Sequence, residues 1–466
     1  MIKLDKGKLY RDLTREYIKN HSRSDLHYKR ASLSEIRGGS HNLRLFDPFP
    51  FYDVKAEGSS VSDIDGLTYV DFWQGHFANI LGHNPPVVTE ALKSCFQDGQ
   101  GLLTGFPGEH QADLAELILN QLKLEKIRFT TSGTLASMYA IMLSKSFTKR
   151  DLVLKIGGGW HGAQPYALKG ITAYSDGLSD IESAGLPSHL DSTIVTTRFN
   201  DIEDLRCKFD SYGDRLACFI IEPFLGAGGF IFAQKEYLRE ARDLTAKYGA
   251  LLILDEVVSG FRFHAGGLHT LYTIVPDLTV LGKAIGGGMP VSALAGRGDV
   301  LNLTAPETPD RSRVKFEGGT FSAHPACMLA GKVFVTYLIE QEDLIYQKIG
   351  RLGALARTGI EKIFSRYDLD VKTTGFDEDV LDSSSCIGVQ FLNQPIKRIT
   401  SADQVWNSKV CDFDMRERIF KLAMLNEGFN TFHGYGCISL AHTEEEILSS
   451  LEAIERVARR FLKYKL

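Results

Sequence analysis

The 466-residue chain lacks the sequence patterns of several large protein classes. No stretch approaches the roughly 18 consecutive apolar residues of a membrane-spanning helix, and the charged start MIKLDKGKLYRDLTREYIKN has no apolar segment typical of a secretory signal. The seven cysteines make an odd count without a C-x-x-C pair, which disfavours a disulfide framework or a zinc site. We therefore expect a cytoplasmic protein with reduced thiols, no bound metal and no membrane contact.

Nucleotide and nucleic-acid signals are also absent. The net charge is −5 and no dense run of Lys or Arg occurs, so nothing indicates a nucleic-acid partner. The phosphate-loop pattern G-x-x-x-x-G-K-[ST] is missing, and no G-x-G-x-x-G follows an apolar run. The sequence therefore disfavours a nucleoside triphosphatase and a dinucleotide-dependent enzyme.

Apolar runs and helical patterns alternate through the middle of the chain, which predicts an α/β fold with a buried, mostly parallel sheet. The runs are KIRFTTSG, DLVLKIGGG, STIVTTRF, LACFIIEPF, ALLILDEVV, LTVLGK and VSALAGR. Before them, a helix, an irregular arm and short antiparallel strands with a turn at Asp65-Gly66 are expected. We expect these elements within residues 1–100, a large domain over 101–334 and a smaller α/β domain over 335–466.

Ligands of parallel sheets bind where the strands end, so the residues after each run are the candidate site. Ser132-Gly133-Thr134 follows one run and begins a helix, where free N–H groups suit a phosphate. Trp160 and His161 follow the glycines of another run, where a flat aromatic could stack on a planar cofactor. Each feature also has an ordinary explanation, as a helix N-cap and as a packed tryptophan.

Two further runs end in ionisable residues. Asp255 and Glu256 follow ALLIL, and a buried carboxylate there needs a partner such as a protonated ring nitrogen. A metal site or a Walker B pair is the alternative. Lys283 follows LTVLG and precedes three glycines, where partial burial would supply the free amine of a Schiff base. A solvated surface lysine is the alternative for Lys283.

At this point the sequence resembles class III aminotransferases of fold type I. The motifs that carry the resemblance are SGTLASMYAI, GGGWHG, FNDIEDL, IIEPFLGAGG, LLILDEVVSGFR, DLTVLGKAIGGGMPVSALAGR and EGGTFSAHPACMLAG. The most similar branch contains glutamate-1-semialdehyde 2,1-aminomutase and β-amino-acid aminotransferases. The resemblance runs from about Arg37 to the C-terminus. It implies a large domain with a seven-stranded sheet, a smaller α/β domain built from both chain ends, pyridoxal 5'-phosphate as cofactor, and a homodimer with shared active sites.

The resemblance also implies roles for individual residues. Lys283 would bind the cofactor as an imine and move protons, and Asp255 would pair with the ring nitrogen. The remaining implied cofactor contacts are the phosphate-binding Ser132, Gly133 and Thr134, the stacking Trp160 with neighbouring His161, the ring-face Val257, Asn200 and Glu222 on the phenolate side, and Thr320 reaching the partner's phosphate. Arg44, in GGSHNLR, resembles an arginine that binds a substrate carboxylate, and Trp160 would also contact substrate.

Three departures from the family pattern bear on the reaction. Leu135 replaces a glutamate of the S-G-T-E-A motif, Trp160 replaces a tyrosine, and Gly434 stands where the aminomutase has a glutamate. The sequence therefore favours amino transfer between an amino substrate, carrying a carboxylate, and a carbonyl acceptor. An intramolecular aminomutase and a catalytically silent binding protein are the alternatives. The Gly/Ser-rich segment 171–188 is expected to act as a lid.

Overall fold

The computed structural model describes residues 3–172 and 180–466. Its strands are β1 Asp53–Glu57, β2 Ser60–Asp63, β3 Thr68–Asp71, β4 Lys126–Thr130, β5 Leu152–Ile156, β6 Ile194–Thr197, β7 Leu216–Ile221, β8 Phe224–Leu225, β9 Ile231–Phe232, β10 Leu251–Asp255, β11 Leu278–Leu281, β12 Ser292–Gly296, β13 Val371–Thr374, β14 Cys386–Phe391, β15 Phe429–Asn430 and β16 Gly434–Cys437.

The right-handed helices cover these sheets. Those of five residues or more are Lys6–Asn20, Ser22–Ala31, Pro86–Gln97, Glu109–Leu122, Gly133–Thr148, Ile202–Tyr212, Lys235–Tyr248, Pro325–Glu340, Glu342–Arg366, Ala402–Trp406, Lys421–Asn426 and Glu444–Leu462. Single helical turns lie at Leu268–Leu271 and Gly298–Leu301, and a π-helical segment lies at Met415–Phe420.

A seven-stranded sheet in the order β4-β12-β11-β10-β7-β5-β6 forms the centre of the molecule. Its strands are parallel except β12, which runs antiparallel to both β11 and β4. Every residue of β5, β7, β10, β11 and β12 is buried, because helices cover both faces. The seven apolar runs form these seven strands, so the predicted mostly parallel sheet is confirmed.

A four-stranded sheet joins the N-terminal and C-terminal parts of the chain. Strands β1, β2 and β3 form the predicted antiparallel meander, and Asp65-Gly66 forms the turn between β2 and β3, with Gly66 at φ 85°. Strand β15 adds to this sheet parallel to β3, while β13, β14 and β16 form a third sheet. The domain boundaries at 100 and 334 stay predictions, and helix Pro325–Glu340 spans the second of them.

The N-terminal arm contains two helices, whereas the sequence predicted one. The break falls at His21, which is 1% exposed. The His21 ring bonds the Tyr17 carbonyl at 2.7 Å and the Tyr69 hydroxyl at 2.5 Å. The backbone at this residue leaves the helical region, at φ −122° and ψ 45°. A tertiary contact to β3 therefore overrides the local helical pattern. Part of the predicted lid, residues 173–179, lies outside the described residues.

Candidate active site

Asp255 ends β10 at the carboxyl edge of the large sheet and is 4% exposed. Its Oδ2 accepts a hydrogen bond from His161 Nδ1 at 2.8 Å, and its Oδ1 accepts one from the Val257 amide at 3.1 Å. Burial lowers the pKa of His161 against the opposing influence of Asp255, so the imidazole is neutral with its proton on Nδ1. Two donors thus fix the orientation of the Asp255 carboxylate.

Lys283 follows β11 in a left-handed backbone conformation, with φ 48°. Burial lowers the pKa of its ammonium group, although the carboxylates of Asp255 and Glu222 oppose that shift. A half-buried lysine with a lowered pKa supplies the unprotonated amine that attacks a carbonyl. This environment argues against a solvated surface lysine, and the Asp255 carboxylate is close enough to act on the Lys283 ammonium group.

Glu222 closes the site beyond the end of β7 and is 3% exposed. Its Oε1 accepts from the Trp160 amide at 2.8 Å, and its Oε2 accepts from the Gly226 amide at 3.0 Å. Burial, with the neighbouring Asp255 charge, raises the pKa of Glu222 well above its usual range. Glu222 therefore fixes the backbone of the glycine-rich loop, while the Trp160 side chain is 42% exposed and available to a ligand.

Lys155 is a buried cation that the sequence reasoning missed. It lies in β5, is fully buried, and its Nζ donates to the carbonyls of Lys169 at 2.6 Å, Gly159 at 3.3 Å and Gly170 at 3.4 Å. Burial lowers its pKa to about 8. Lys155 therefore joins the loop that carries Trp160 to a neighbouring loop. In a strand with alternating polar and apolar residues, a polar side chain at a buried position would have been noticed. Lys155 stands in a strand whose other residues are all apolar, so no pattern indicated its role.

Small residues shape the floor of the site. Ser132 is the N-cap of helix Gly133–Thr148, and its hydroxyl accepts from the Leu135 amide at 3.3 Å. A Cβ on Gly133 would lie 3.0 Å from Val257 Cγ2, and one on Gly282 would lie 3.2 Å from Val257 Cγ1. Val257 thus packs between the helix start and the residue before Lys283, which leaves the helix N-terminus open beside the lysine.

The tight approach of Gly162 to Thr134 completes this floor. A Cβ on Gly162 would lie 2.4 Å from Thr134 Oγ1 and 2.6 Å from Thr134 Cα, and Gly162 has φ 83°. Only glycine fits there without displacing Thr134. The loop that carries His161 is therefore packed against Thr134 in the first turn of the helix.

Asn200 is not brought into this cluster. Its Nδ2 donates to the carbonyls of Phe232 at 3.0 Å and Thr400 at 2.9 Å, and its Oδ1 accepts from the Gln234 amide at 2.9 Å. The amide is thus occupied by backbone groups that join two loops, and its predicted cofactor contact stays a prediction.

Thr320 is exposed in the loop before helix Pro325–Glu340. A Cβ on neighbouring Gly319 would lie 3.5 Å from Thr131 Oγ1, which places this loop beside the end of β4. The predicted contact of Thr320 with a partner's phosphate stays a prediction.

Glu256 has a structural role, which argues against the alternative that Asp255 and Glu256 form a metal site or a Walker B pair. Its carboxylate accepts from the Leu268 amide at 2.5 Å, from His269 Nδ1 at 2.5 Å and from the Ser259 hydroxyl at 3.2 Å. These donors use the oxygens that a metal would need. Over residues 3–172 and 180–466, no group of three or more His, Cys, Asp or Glu is arranged to hold a metal ion.

Arg44 reaches the site through His76, another residue that the sequence reasoning missed. Arg44 Nε donates to His76 Nε2 at 3.3 Å. Burial, together with the nearby charges of His41, Arg44 and Lys283, lowers the pKa of His76 to about 3. The turn Gln74–Phe77 contacts the turn Lys283–Gly286, which places His76 near both Arg44 and the lysine. Its segment, WQGHF, has neither strand nor helix periodicity, so nothing in the sequence singled it out.

The assembled residues suit a planar aldehyde cofactor that carries a phosphate and a basic ring nitrogen. Lys283 supplies an amine, Asp255 a buried carboxylate, and the open N-terminus of helix Gly133–Thr148 a phosphate seat. His161 Nε2 is buried without a hydrogen-bond partner among the described residues. Such an unpartnered polar atom beside Asp255 is explained by a missing ligand group.

Comparisons with known proteins agree with this geometry. The family model "Aminotransferase class-III" matches residues 45–375. A glutamate-1-semialdehyde 2,1-aminomutase of Methanosarcina acetivorans is 33% identical over 429 residues, which cover 91% of this chain and 96% of that protein. None of the described helices is long and apolar enough to cross a membrane.

Solved structures show the same architecture. An omega-transaminase from Sphaerobacter thermophilus matches with a TM-score of 0.83 and 27% identity, over 94% of this chain and 98% of that one. A transaminase with pyridoxal phosphate bound matches with a TM-score of 0.82 and 27% identity, over 95% of this chain and 98% of the other.

Proposed function

Because the chain belongs to the class-III aminotransferase family, we propose that it transfers an amino group from a carboxylate-bearing amine to a separate carbonyl acceptor. The chain is a fold type I enzyme that uses pyridoxal phosphate. The observation that carries the proposal is the cluster of half-buried Lys283 and buried Asp255 near Arg44 and His76. The cluster thus combines the Lys283 amine for the cofactor aldehyde, the Asp255 carboxylate for the ring nitrogen, and the Arg44 guanidinium for the substrate carboxylate.

Each residue of the cluster has one task in this proposal. When bound, pyridoxal phosphate supplies the electron sink for breaking the bond to hydrogen at the substrate carbon. Lys283 Nζ would hold the cofactor and would move the proton at that carbon. Asp255, which His161 holds in place, would pair with the ring nitrogen. Ser132, Gly133 and Thr134 would bind the phosphate, and Trp160 would contact the ring.

The packing around Gly434 favours transfer between molecules over the aminomutase reaction. Gly434 has φ 88°, and a Cβ there would lie 2.6 Å from Val389 Cβ and 2.9 Å from the Val389 carbonyl oxygen. The glutamate of the aminomutase pattern therefore does not fit at this position. Without that carboxylate, the site lacks a group that the one-molecule reaction uses in the resembling branch.

A half-reaction screen tests the proposal. Purified enzyme in its aldehyde form is mixed with single amino acids and amines, and the absorbance of the cofactor is followed. In a transaminase, the amino substrate converts the cofactor stoichiometrically to its amine form and a free keto product is released. Addition of a keto acid then restores the aldehyde form of the cofactor. An aminomutase instead converts glutamate-1-semialdehyde to its amino-ketone isomer without an acceptor, and no product that has lost its amino group accumulates.

Lys283→Ala tests the assigned lysine. The variant is expected to lose the imine absorbance and turnover together, because general acid–base help alone is typically worth about 10²–10⁴-fold. Lys362→Ala is the control, since Lys362 is exposed on helix Glu342–Arg366. Full activity in Lys283→Ala would reject the assignment.

We also propose a homodimer in which Thr320 completes the partner's phosphate site. The exposure of the Thr320 side chain supports this, as do the exposed apolar side chains of Phe321 at 61%, Leu102 at 72% and Phe106 at 79%.

Two inactive variants test the shared site, since Lys283→Ala and Thr320→Asp protomers are each expected to be inactive. Mixed in equal amounts, they would regain about one quarter of the wild-type activity, because half of the dimers carry one intact site. No recovery in a mixture that sedimentation shows to exchange subunits would reject shared sites.

A further inference from the structure

The segment Gln74–Phe77 has an unusual backbone. Its four residues have φ values of 47°, 59°, 60° and 69°, so Gln74, His76 and Phe77 occupy the left-handed region although they carry side chains. Consecutive left-handed residues are rare in proteins made of L-amino acids, since each side chain there is strained. Strain of this kind persists where the surroundings enforce it, and it concentrates at functional sites.

Contacts from both ends of the segment enforce this conformation. The Asp71 carboxylate accepts from the Trp73 amide at 3.0 Å and from the Gln74 amide at 2.9 Å, and Gln74 Nε2 donates to the Asp71 carbonyl at 2.7 Å. At the other end, the buried Arg262 guanidinium donates to the Phe77 carbonyl. The turn is thus determined by a carboxylate before it and a cation after it.

The turn determines where the His76 ring lies. Its ring lies with its centroid 4.4 Å from that of Trp73 and 4.7 Å from that of His41. Its Nε2 accepts from Arg44 Nε at 3.3 Å, so the ring proton is on Nδ1 and the imidazole is neutral. The neutral form is retained at physiological pH because burial, His41, Arg44 and Lys283 hold its pKa near 3.

This hydrogen bond leaves one edge of Arg44 available. With Nε occupied by His76, the two terminal nitrogens of the guanidinium form a fork that matches a carboxylate. Within residues 3–172 and 180–466, no Asp or Glu forms an ion pair with Arg44. Arg44 is therefore a cation held by a neutral acceptor, and no described carboxylate occupies the edge that could bind a substrate carboxylate.

We propose that His76 is a positioning residue that fixes Arg44 for a substrate carboxylate, which makes amino acids rather than simple amines the substrate class. The proposal rests on the proposed function. His76 acts through the guanidinium that it orients.

The test compares substrates that differ only in the carboxylate. Holoenzyme is assayed with phenylalanine against 2-phenylethylamine and with β-alanine against ethylamine, and the pair with the faster wild-type half-reaction is used. His76→Phe keeps a ring but removes the acceptor, so the KM for the amino acid is expected to rise about tenfold, as for one lost hydrogen bond to a charged group. The kcat for that substrate and the KM for the amine stay within about twofold.

Two further variants separate positioning from mere structure. His76→Gln retains an acceptor and is expected to restore most of the amino-acid KM. In an Arg44→Ala background, where the amino-acid KM is already raised, His76→Phe is expected to add nothing. If His76→Phe fails to bind the cofactor, His76→Gln and His76→Leu are compared in the same way.

Equal KM changes for the amino acid and the amine would overturn the inference, as would an unchanged amino-acid KM in the variant without an acceptor. Failure of the proposed function gives a different result, because the wild-type enzyme itself would then show no amino-group transfer.

Discussion

Replacing Gly162 by alanine tests how closely cofactor binding depends on the packing of one loop against one helix. Gly162 has φ 83°, and the new Cβ would lie 2.4 Å from Thr134 Oγ1. The left-handed conformation costs alanine about 1–2 kcal/mol. Forcing a methyl group into a filled space costs about 1–3 kcal/mol more. The clash is relieved by moving Thr134 or the loop that carries Trp160 and His161, and both belong to the proposed site.

Gly185 provides a matched control. It has φ 82°, nearly the same as Gly162, but nothing lies within 4 Å of a Cβ placed there. Gly185→Ala therefore costs only the backbone strain, about 1–2 kcal/mol. The difference between the two variants isolates the clash with Thr134.

The assay is a titration of cofactor-free protein with pyridoxal phosphate, followed by absorbance, with urea denaturation alongside. We expect Gly162→Ala to raise the dissociation constant about 5- to 150-fold over Gly185→Ala, the equivalent of about 1–3 kcal/mol. Identical dissociation constants in two folded variants would refute the reasoning, because the floor of the site would then tolerate a displaced Thr134.

Two other perturbations probe buried charges near the site. Lys155→Met removes the donor to the carbonyls of Lys169 and Gly159, so its unfolding free energy should fall by about 1–3 kcal/mol per orphaned carbonyl, and cofactor binding should weaken. Exposed Lys362→Met is the control in the same denaturation, and equal midpoints would contradict the expectation. His269→Gln breaks the buried ion pair between His269 and Glu256. Burial disfavours both charges, but the Glu256 carboxylate raises the pKa of His269, and the His269 ring lowers the pKa of Glu256. The pair stabilises the fold fully between the ordinary pKa values of about 4.5 and 6.5. That stability is lost as the pH rises through the raised His269 pKa or falls through the lowered Glu256 pKa. His269→Gln should therefore cost about 3–5 kcal/mol at pH about 5.5 and clearly less at pH about 9, whereas exposed His189→Gln should change neither. An equal cost at the two pH values would argue against the ion pair.

The central sheet was predictable because its strands are buried on both faces. Such strands need near-continuous apolar runs, and the residues that follow them must meet at one edge. That rule singled out Asp255, Lys283 and the Trp160 loop as candidates, and the resemblance to the family implied their roles. The same rule missed Lys155, whose ammonium group is satisfied by carbonyls of loops that follow it in the chain.

The features that escaped prediction depend on contacts between distant segments. The left-handed turn at His76 is enforced from its far side by Arg262, which contacts a residue 185 positions earlier in the chain. The helix break at His21 depends on Tyr69. Asn200 lies in a motif that resembles the family, but its amide is bonded to the backbone, and only the folded contacts could reveal that.

The parallel pairing of β3 with β15 has a consequence for synthesis on the ribosome. Asn430 Nδ2 donates to Asp71 Oδ1 at 2.7 Å, and the same carboxylate holds the turn that presents His76. All seven strands of the large sheet precede Asn430 in the chain, but Asp71 lacks its outer strand and its amide partner until Asn430 has been synthesised. The carboxylate that holds the turn at His76 is therefore completed only in the last part of translation. A product truncated before Phe429 would lack this support for the turn.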